Sequence, residues 1–193
     1  MTRRETLKRA ILLPLAAGLG ISASSSVAQQ RSSKAKALVA YFSRTGNTRV
    51  IANQIRRALG ADLFEIQPAE PYPEDYETTV SQAQRERDTG HEPPLKATVP
   101  NIGSYDVIFL GFPIWGTTTP PVIRSFLSSH DVSGKALVPF VTHGGYGLGE
   151  SMAVVAERAP QARLLEGLSM QADQERETLS RVTRWISGVP VAE

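Results

Sequence analysis

Short apolar runs alternate along this 193-residue chain with stretches in which apolar residues recur every three or four positions. The runs predict buried strands, and the recurring pattern predicts helices with one apolar face. The predicted strands cover residues 37–42, 63–66, 107–111, 136–142 and 164–170. Because strands and helices alternate, we expect one α/β domain with a doubly wound parallel sheet that is covered by helices on both faces.

The first predicted helix begins at Thr48 and ends before Gly60. Its residues Ile51, Ile55 and Leu59 are four positions apart, which places them on one face of a helix. Later helices are predicted over residues 121–129, 151–159 and 179–186. On the last of these, helical spacing identifies Trp185 as a packing residue.

The segment 67–105 interrupts this regular alternation with six prolines, which break helices and strands. A polar helix over about residues 76–89 is predicted inside it. One interpretation is a lid or a partner surface over a bound ligand. The interpretation that we favour from the sequence is a solvated crossover connection between two strands.

The first 28 residues have the pattern of an export signal. Arg3 and Arg4 precede an apolar run of about 12 residues, whereas a membrane-spanning helix needs about 20. Small residues before Ala28 suit a cleavage site after it. We therefore expect a twin-arginine signal peptide (1–28), a disordered lead-in (29–35), the domain (36–188) and a tail (189–193), with a periplasmic or other extracytoplasmic location. An ordinary secretory signal and an uncleaved anchor are the alternatives.

Composition excludes several classes of function. Without residues 1–28 the chain has 17 basic and 18 acidic side chains, a net charge of −1, so no concentrated basic face for nucleic acid is expected. The chain contains no cysteine, which excludes disulfides, thiolate metal sites and a cysteine nucleophile. The three histidines, His91, His130 and His143, lack metal-ligand spacing. We predict neither a metal site nor catalytic residues.

Residues 43–48, Ser-Arg-Thr-Gly-Asn-Thr, connect the first predicted strand to the first predicted helix. At such a junction an anion meets free backbone N–H groups and the positive end of the helix dipole. The loop lacks the Gly-Lys-Ser/Thr ending of a nucleotide-hydrolase loop, so a monophosphate suits it better. The alternative is a polar turn in which Thr48 only caps the helix.

The segment 41–48, Tyr-Phe-Ser-Arg-Thr-Gly-Asn-Thr, resembles the phosphate-binding loop of flavodoxins, and the resemblance extends over about residues 36–188. It implies a flavodoxin-like fold with a five-stranded sheet of order 2-1-3-4-5 and FMN at the carboxyl ends of strands one and three. In flavodoxins this loop binds the FMN phosphate through neutral donors. The resemblance therefore implies that the phosphate ligands here are Ser43, Thr45, Gly46, Asn47 and Thr48. Arg44 is either an additional charge or solvent-facing.

Two further loops resemble the flavin-binding loops of that family. The loop after the third predicted strand includes Pro113, Ile114, Trp115, Gly116 and Thr117. Trp115 offers a wide face for stacking on the flavin ring, and packing in the core is its alternative role. The loop after the fourth strand includes His143, Gly144, Gly145, Tyr146 and Gly147. Tyr146 is expected against the opposite face of the ring, and His143 either near the ring edge or exposed.

The resemblance implies that FMN is the cofactor and that electron transfer is the function. The expected partner is an unidentified redox protein or a small quinone-like acceptor, with membrane contact only through the export signal. Two alternatives stay open: an FMN-dependent quinone or nitro reductase, and an FMN-binding module without redox activity. The near-neutral mature charge keeps them open, because it weakens electrostatic docking to a basic partner.

Overall fold

The computed structural model describes residues 35–172 and 175–190. The expectations for the signal peptide, for most of the lead-in and for the end of the tail lie outside these residues. The strands are β1 (Ala37–Tyr41), β2 (Asp62–Glu65), β3 (Val107–Pro113), β4 (Ala136–His143), β5 (Arg163–Leu164) and β6 (Leu168–Gln171). The helices are α1 (Asn47–Leu59), α2 (Tyr76–Asp88), α3 (Pro121–Ser129), α4 (Ser151–Arg158) and α5 (Glu175–Ile186), with a short 3₁₀ turn at Ile102–Ser104.

The strands form one parallel sheet in the order β2-β1-β3-β4-β5, and β6 also pairs with β4. The predicted fold class and strand order are therefore confirmed. Both neighbours of β1 run parallel to it, so their carboxyl ends and that of β1 lie at one edge of the sheet. The chain reverses its direction of winding between β1 and β3, where α/β sheets of this type bind ligands.

The fifth predicted strand is in fact two short strands. Leu137 pairs with Leu164, but three positions later Phe140 pairs with Leu168, so residues 138–139 of β4 oppose residues 165–167. One additional residue on one side of a ladder is a β-bulge. Pro139 explains it, because proline has no N–H to continue the ladder.

Alternate strand residues point to opposite faces of the sheet and form two cores. Leu38 and Leu110 belong to the core under α3 and α4, whereas Val39 and Phe109 belong to the core under α1 and α5. Trp185 packs edge-on against Phe109, with ring centroids 5.9 Å apart, as expected for a packing residue. Among the described residues, none of the helices combines the length and the apolar composition that crossing a bilayer requires.

Helix α2 occupies the predicted position but does more than connect two strands. Its carbonyl at Glu86 accepts a hydrogen bond from Arg124 on α3, and Thr79, Ala83 and Glu86 are buried. Asp75 caps its first turn by accepting a hydrogen bond from the Thr78 N–H at 2.8 Å. The helix is therefore docked on the domain, which the expectation of a solvated crossover did not include.

Candidate functional site

A cavity of about 410 Å³ opens at the carboxyl edge of the sheet. This volume lies in the range of small-molecule sites. The cavity is lined by the loops after β1, β3 and β4, by one face of α2 and by one residue after β6. The lining residues are Arg44, Thr45, Asn47, Tyr76, Thr79, Val80, Ala83, Gln84, Arg87, Pro113, Ile114, Trp115, Gly116, Thr142, His143, Gly144 and Ala172.

The amino end of α1 lies at one end of this cavity. Gly46 is the N-cap residue and supplies no capping side chain, so no side chain competes for the N–H groups of the first turn. The Gly46 N–H itself donates to Ser43 Oγ at 3.1 Å, which curls the loop around the helix end. The geometry and the helix dipole favour an anion here.

The predicted phosphate ligands are divided between the cavity and the core. Arg44, Thr45 and Asn47 line the cavity, whereas Ser43 and Gly46 shape the loop behind it. The Thr48 hydroxyl is buried and hydrogen-bonded to the Thr142 hydroxyl at 2.8 Å, so it joins α1 to the end of β4. Thr48 can therefore bind an anion only through its backbone N–H, which belongs to the first turn of α1.

Arg44 lies in the lining of the cavity and is also hydrogen-bonded to the backbone. Its guanidinium donates to the Glu74 carbonyl at 2.5 Å and lies 6.0 Å from the centre of the Tyr76 ring. It thereby ties the loop at 43–48 to the start of α2, and within the part of the chain that the structure describes no carboxylate forms an ion pair with it. Its positive charge stays in the lining of the cavity.

Trp115 lies in a tight turn over one side of the cavity. The backbone N–H of Trp115 donates to the Thr118 carbonyl at 3.0 Å, and the backbone N–H of Thr118 donates to the Trp115 carbonyl at 3.3 Å. Gly116 has the positive φ of 59° that such a turn requires. The indole packs edge-on against Phe42 at 5.2 Å and Tyr72 at 4.8 Å. Trp115 therefore packs at the edge of the core while still lining the cavity, and its stacking on the flavin ring stays a prediction.

A partly buried hydrogen-bonded pair, Tyr72 and Glu86, lies behind Trp115. The Tyr72 hydroxyl donates to the Glu86 carboxylate at 2.9 Å, and Gln82 donates to the same carboxylate at 2.8 Å. Burial and the neighbouring Glu86 raise the pKa of Tyr72 far above its usual value, so Tyr72 stays protonated. The Tyr72 ring is thereby held in place as a support for the indole.

The loop after β4 is organised by its own histidine. His143 Nδ1 accepts hydrogen bonds from the backbone N–H groups of Gly145 at 3.1 Å and Gly147 at 3.4 Å. His143 and Gly144 line the cavity, whereas Gly145 and Gly147 form the turn beyond it. The Tyr146 side chain is 92% exposed and does not line the cavity. The structure thus does not bring Tyr146 to the position opposite Trp115 that was expected for it.

The two predicted flavin loops are bonded to each other. The Glu150 N–H donates to the Thr117 carbonyl at 2.8 Å. Gly149 has a positive φ of 52°, and a Cβ on it would lie 1.9 Å from the Thr117 carbonyl oxygen. Thr117 therefore contributes to the site through its backbone, while its side chain is exposed. Gly149 was not among the residues predicted for the site.

One wall of the cavity comes from the segment for which a solvated crossover was favoured from the sequence, with a lid over a ligand as the alternative. It is formed by α2 residues at helical spacing, namely Tyr76, Thr79, Val80, Ala83, Gln84 and Arg87. The signal for this face was weak, because half of these side chains are polar and the helix has little apolar character. Arg87 is the last of them, and a Cβ on Gly116 would lie 3.0 Å from its Nη2 atom.

The cavity fits an anionic ligand with a flat apolar part. The lining that the structure describes contains the guanidinium groups of Arg44 and Arg87 and no carboxylate. Apolar and aromatic surface comes from Trp115, Ile114 and Val80, and the uncapped end of α1 lies at the same cavity. These donors and surfaces suit FMN, the cofactor that the resemblance implies. Among the described residues no cluster of side chains has the composition of a metal site.

Comparison with known proteins agrees with this geometry. A model of the flavodoxin family matches residues 36–189. A protein of Bacteroides eggerthii DSM 20697, provisionally named a flavoprotein, is 36% identical with a TM-score of 0.69, covering 79% of this chain and 96% of that one. A similarly named protein of Bacteroides uniformis ATCC 8492 is 30% identical with a TM-score of 0.71, covering 80% and 99%.

A flavoprotein of Lactobacillus acidophilus NCFM, solved in complex with FMN, shares the fold at 22% identity and a TM-score of 0.63, covering 76% of this chain and 99% of that one. No functionally curated protein matches the chain significantly. The family match spans the whole described domain, including the loop at 43–48 and both loops at the cavity. This chain belongs to the flavodoxin family.

Proposed function

We propose that this protein binds one FMN non-covalently and uses it for electron transfer. The observation that carries the proposal is the cavity at the carboxyl edge of the sheet, where the uncapped end of α1 and a cationic, partly aromatic lining lie together. Family membership and a related fold solved with FMN support the same cofactor. When bound, FMN would supply hydride or one-electron chemistry.

The residues of this chain would bind and orient the cofactor. The first-turn N–H groups of α1, with Thr45 and Asn47, would hold the phosphate. The loop with Trp115 and Gly116 and the loop with His143 and Gly144 would hold the ring. The hydrogen bond between Glu150 and Thr117 would keep these two loops at a constant separation.

The test is the absorption spectrum of the purified protein, followed by release and identification of the cofactor. We expect a flavin spectrum and free FMN after denaturation. Titration of the apoprotein should show much tighter binding of FMN than of riboflavin, because the phosphate contributes charge-assisted hydrogen bonds. Equal affinity for the two compounds would remove the phosphate assignment, and absence of flavin binding would overturn the proposal.

A reductase is the second candidate. Its supporting observation is the additional wall formed by α2, which extends the cavity beyond the three loops. Steady-state oxidation of NAD(P)H with and without a quinone distinguishes a reductase from an electron carrier. Turnover that depends on the quinone favours the reductase, whereas slow oxidation in both cases favours the carrier.

We also propose that the protein is exported in its folded state by the twin-arginine route. The support is the paired Arg3 and Arg4 before an apolar run too short to span a bilayer. Fractionation of cells that produce the Arg3→Lys, Arg4→Lys variant tests this, because lysine keeps the charge but not the guanidinium geometry. Export of this variant at the original rate would indicate an ordinary secretory signal.

A further inference from the structure

The charge on the α2 wall of the cavity is not neutralised by a carboxylate. Arg87 is half-buried, its guanidinium donates to the Gln84 side-chain oxygen, and no ion pair to it is found among the described residues. The adjacent Glu86 carboxylate is buried and accepts hydrogen bonds from Tyr72 and Gln82 instead. Arg87 therefore brings a full positive charge to the cavity lining.

The Arg87 guanidinium lies closer to the loop proposed to hold the flavin ring than to the loop proposed to hold the phosphate. Arg87 lies against the turn that carries Gly116, in the loop after β3. Arg44, the other cation of the lining, lies in the phosphate loop and is tied to Glu74. The two guanidinium groups thus serve different parts of an extended ligand.

We propose that Arg87 raises the reduction potential of bound FMN by making the reduced cofactor bind more tightly than the oxidised one. This inference rests on the proposed function. Reduction of the flavin ring by two electrons with uptake of one proton adds one negative charge to the ring. A cation beside a partly desolvated site stabilises that added charge, and a ligand state that binds more tightly becomes more populated.

The oxidised ring is neutral, so Arg87 contributes much less to its affinity. The α2 wall is consequently a redox-tuning element as well as a wall. The described lining of the cavity contains no acidic side chain, so none of its residues repels the negative charge of the reduced flavin ring.

The test compares Arg87→Gln with Arg85→Gln in the FMN-loaded full chain. Arg85 is an exposed arginine on the same helix and does not line the cavity, so it controls for a change of net charge. The two-electron midpoint potential is measured by stepwise dithionite reduction beside a reference dye. We expect R87Q to lower the ratio of reduced to oxidised affinity about tenfold, a shift of about 30 mV to more negative potential. R85Q should leave the potential unchanged.

Two further variants separate charge from structure. Arg87→Lys keeps the charge and should retain a potential close to the original one. Arg87→Met is a second neutral variant and should behave as R87Q does. If R87Q binds FMN and the midpoint potential is unchanged, the role of Arg87 is overturned while the proposed function stands. The same conclusion follows if R85Q shifts the potential by as much as R87Q. An original protein that binds no FMN would overturn the proposed function and this inference with it.

Discussion

Gly149 lies against the carbonyl group of Thr117 so closely that a Cβ at position 149 would be 1.9 Å from the carbonyl oxygen. Next to this contact, the Glu150 N–H donates to the same oxygen at 2.8 Å. The loop after β3 and the loop after β4 are therefore one connected unit. Because both loops line the cavity, the geometry of the site depends on a residue that does not itself line it.

Gly149→Ala should separate these two loops. The substitution places a side chain at a positive φ, which costs on the order of 1–3 kcal/mol, and the clash with Thr117 adds to this cost. We expect a lower free energy of unfolding in urea and weaker FMN binding. Gly147→Ala is the matched control, because Gly147 also has a positive φ, 73°, but no atom within 4 Å of the added Cβ. Equal effects of the two variants would contradict a role for the contact with Thr117.

The two tryptophans should respond differently to substitution. Trp115 lines the cavity, so Trp115→Ala should weaken FMN binding about tenfold or more, since ring contacts and apolar burial are lost together. Trp185 packs on Phe109 beneath α5, so Trp185→Ala should lower stability without a direct effect on the cofactor site. The measurements are FMN titration and urea unfolding of both variants. A larger loss of FMN affinity in the Trp185 variant would place the cofactor elsewhere.

Substitution of Thr45 should affect FMN binding, whereas substitution of Thr48 should affect the stability of the fold. Thr45 is exposed at the cavity, so Thr45→Ala should weaken binding of FMN but not of riboflavin, with a charge-assisted hydrogen bond worth about 1.5–3 kcal/mol. Thr48→Val removes a hydroxyl that is buried against Thr142, so it should lower the free energy of unfolding by about 1–3 kcal/mol. Calorimetric titration with both flavins and urea unfolding check these outcomes. A stability loss confined to the Thr45 variant would reverse the two roles.

His130 should make the protein less stable in mild acid. Its Nε2 accepts from the Val99 N–H at 2.9 Å, and its Nδ1 lies 2.8 Å from the Phe126 carbonyl, so the neutral ring satisfies both partners. Burial lowers the pKa of His130 in the folded protein, and the hydrogen bond to Phe126 opposes this only in part. The unfolded chain therefore binds a proton first, and the free energy of unfolding decreases as the pH falls below about 6.5.

This prediction is tested by measuring the free energy of unfolding in urea between pH 7.5 and 5 for the original chain and for two variants. His130→Gln should lower stability at neutral pH and reduce its dependence on pH. His91→Gln is the control, because the His91 side chain is exposed. An unchanged pH dependence in the His130 variant would show that other groups cause it.

Local pattern was sufficient for most of the framework. Most strands and helices bury a face that repeats within a few adjacent residues, so the periodicity in the sequence predicted β1 to β4, α1 and α3 to α5 to within a few positions. Likewise, the run at 43–48 between a strand and a helix predicted a loop at the carboxyl edge of the sheet. The family resemblance supplied the strand order, which no local pattern contains.

Contacts between distant segments were decided only by the tertiary structure. Pro139 and Leu168 are far apart in the chain, yet the missing N–H of Pro139 splits the fifth strand. The Thr48 hydroxyl meets Thr142 across 94 positions and is thereby removed from the surface.

The same holds for the walls of the cavity. The polar face of α2 became a wall because Arg87 meets Gly116, and the two flavin loops became one unit because Gly149 meets Thr117. The sequence by itself thus determined which segments form strands, helices and the loop at 43–48, since these depend on neighbouring residues. The tertiary structure alone decided which side chains face the cavity, because that depends on how separate segments pack together.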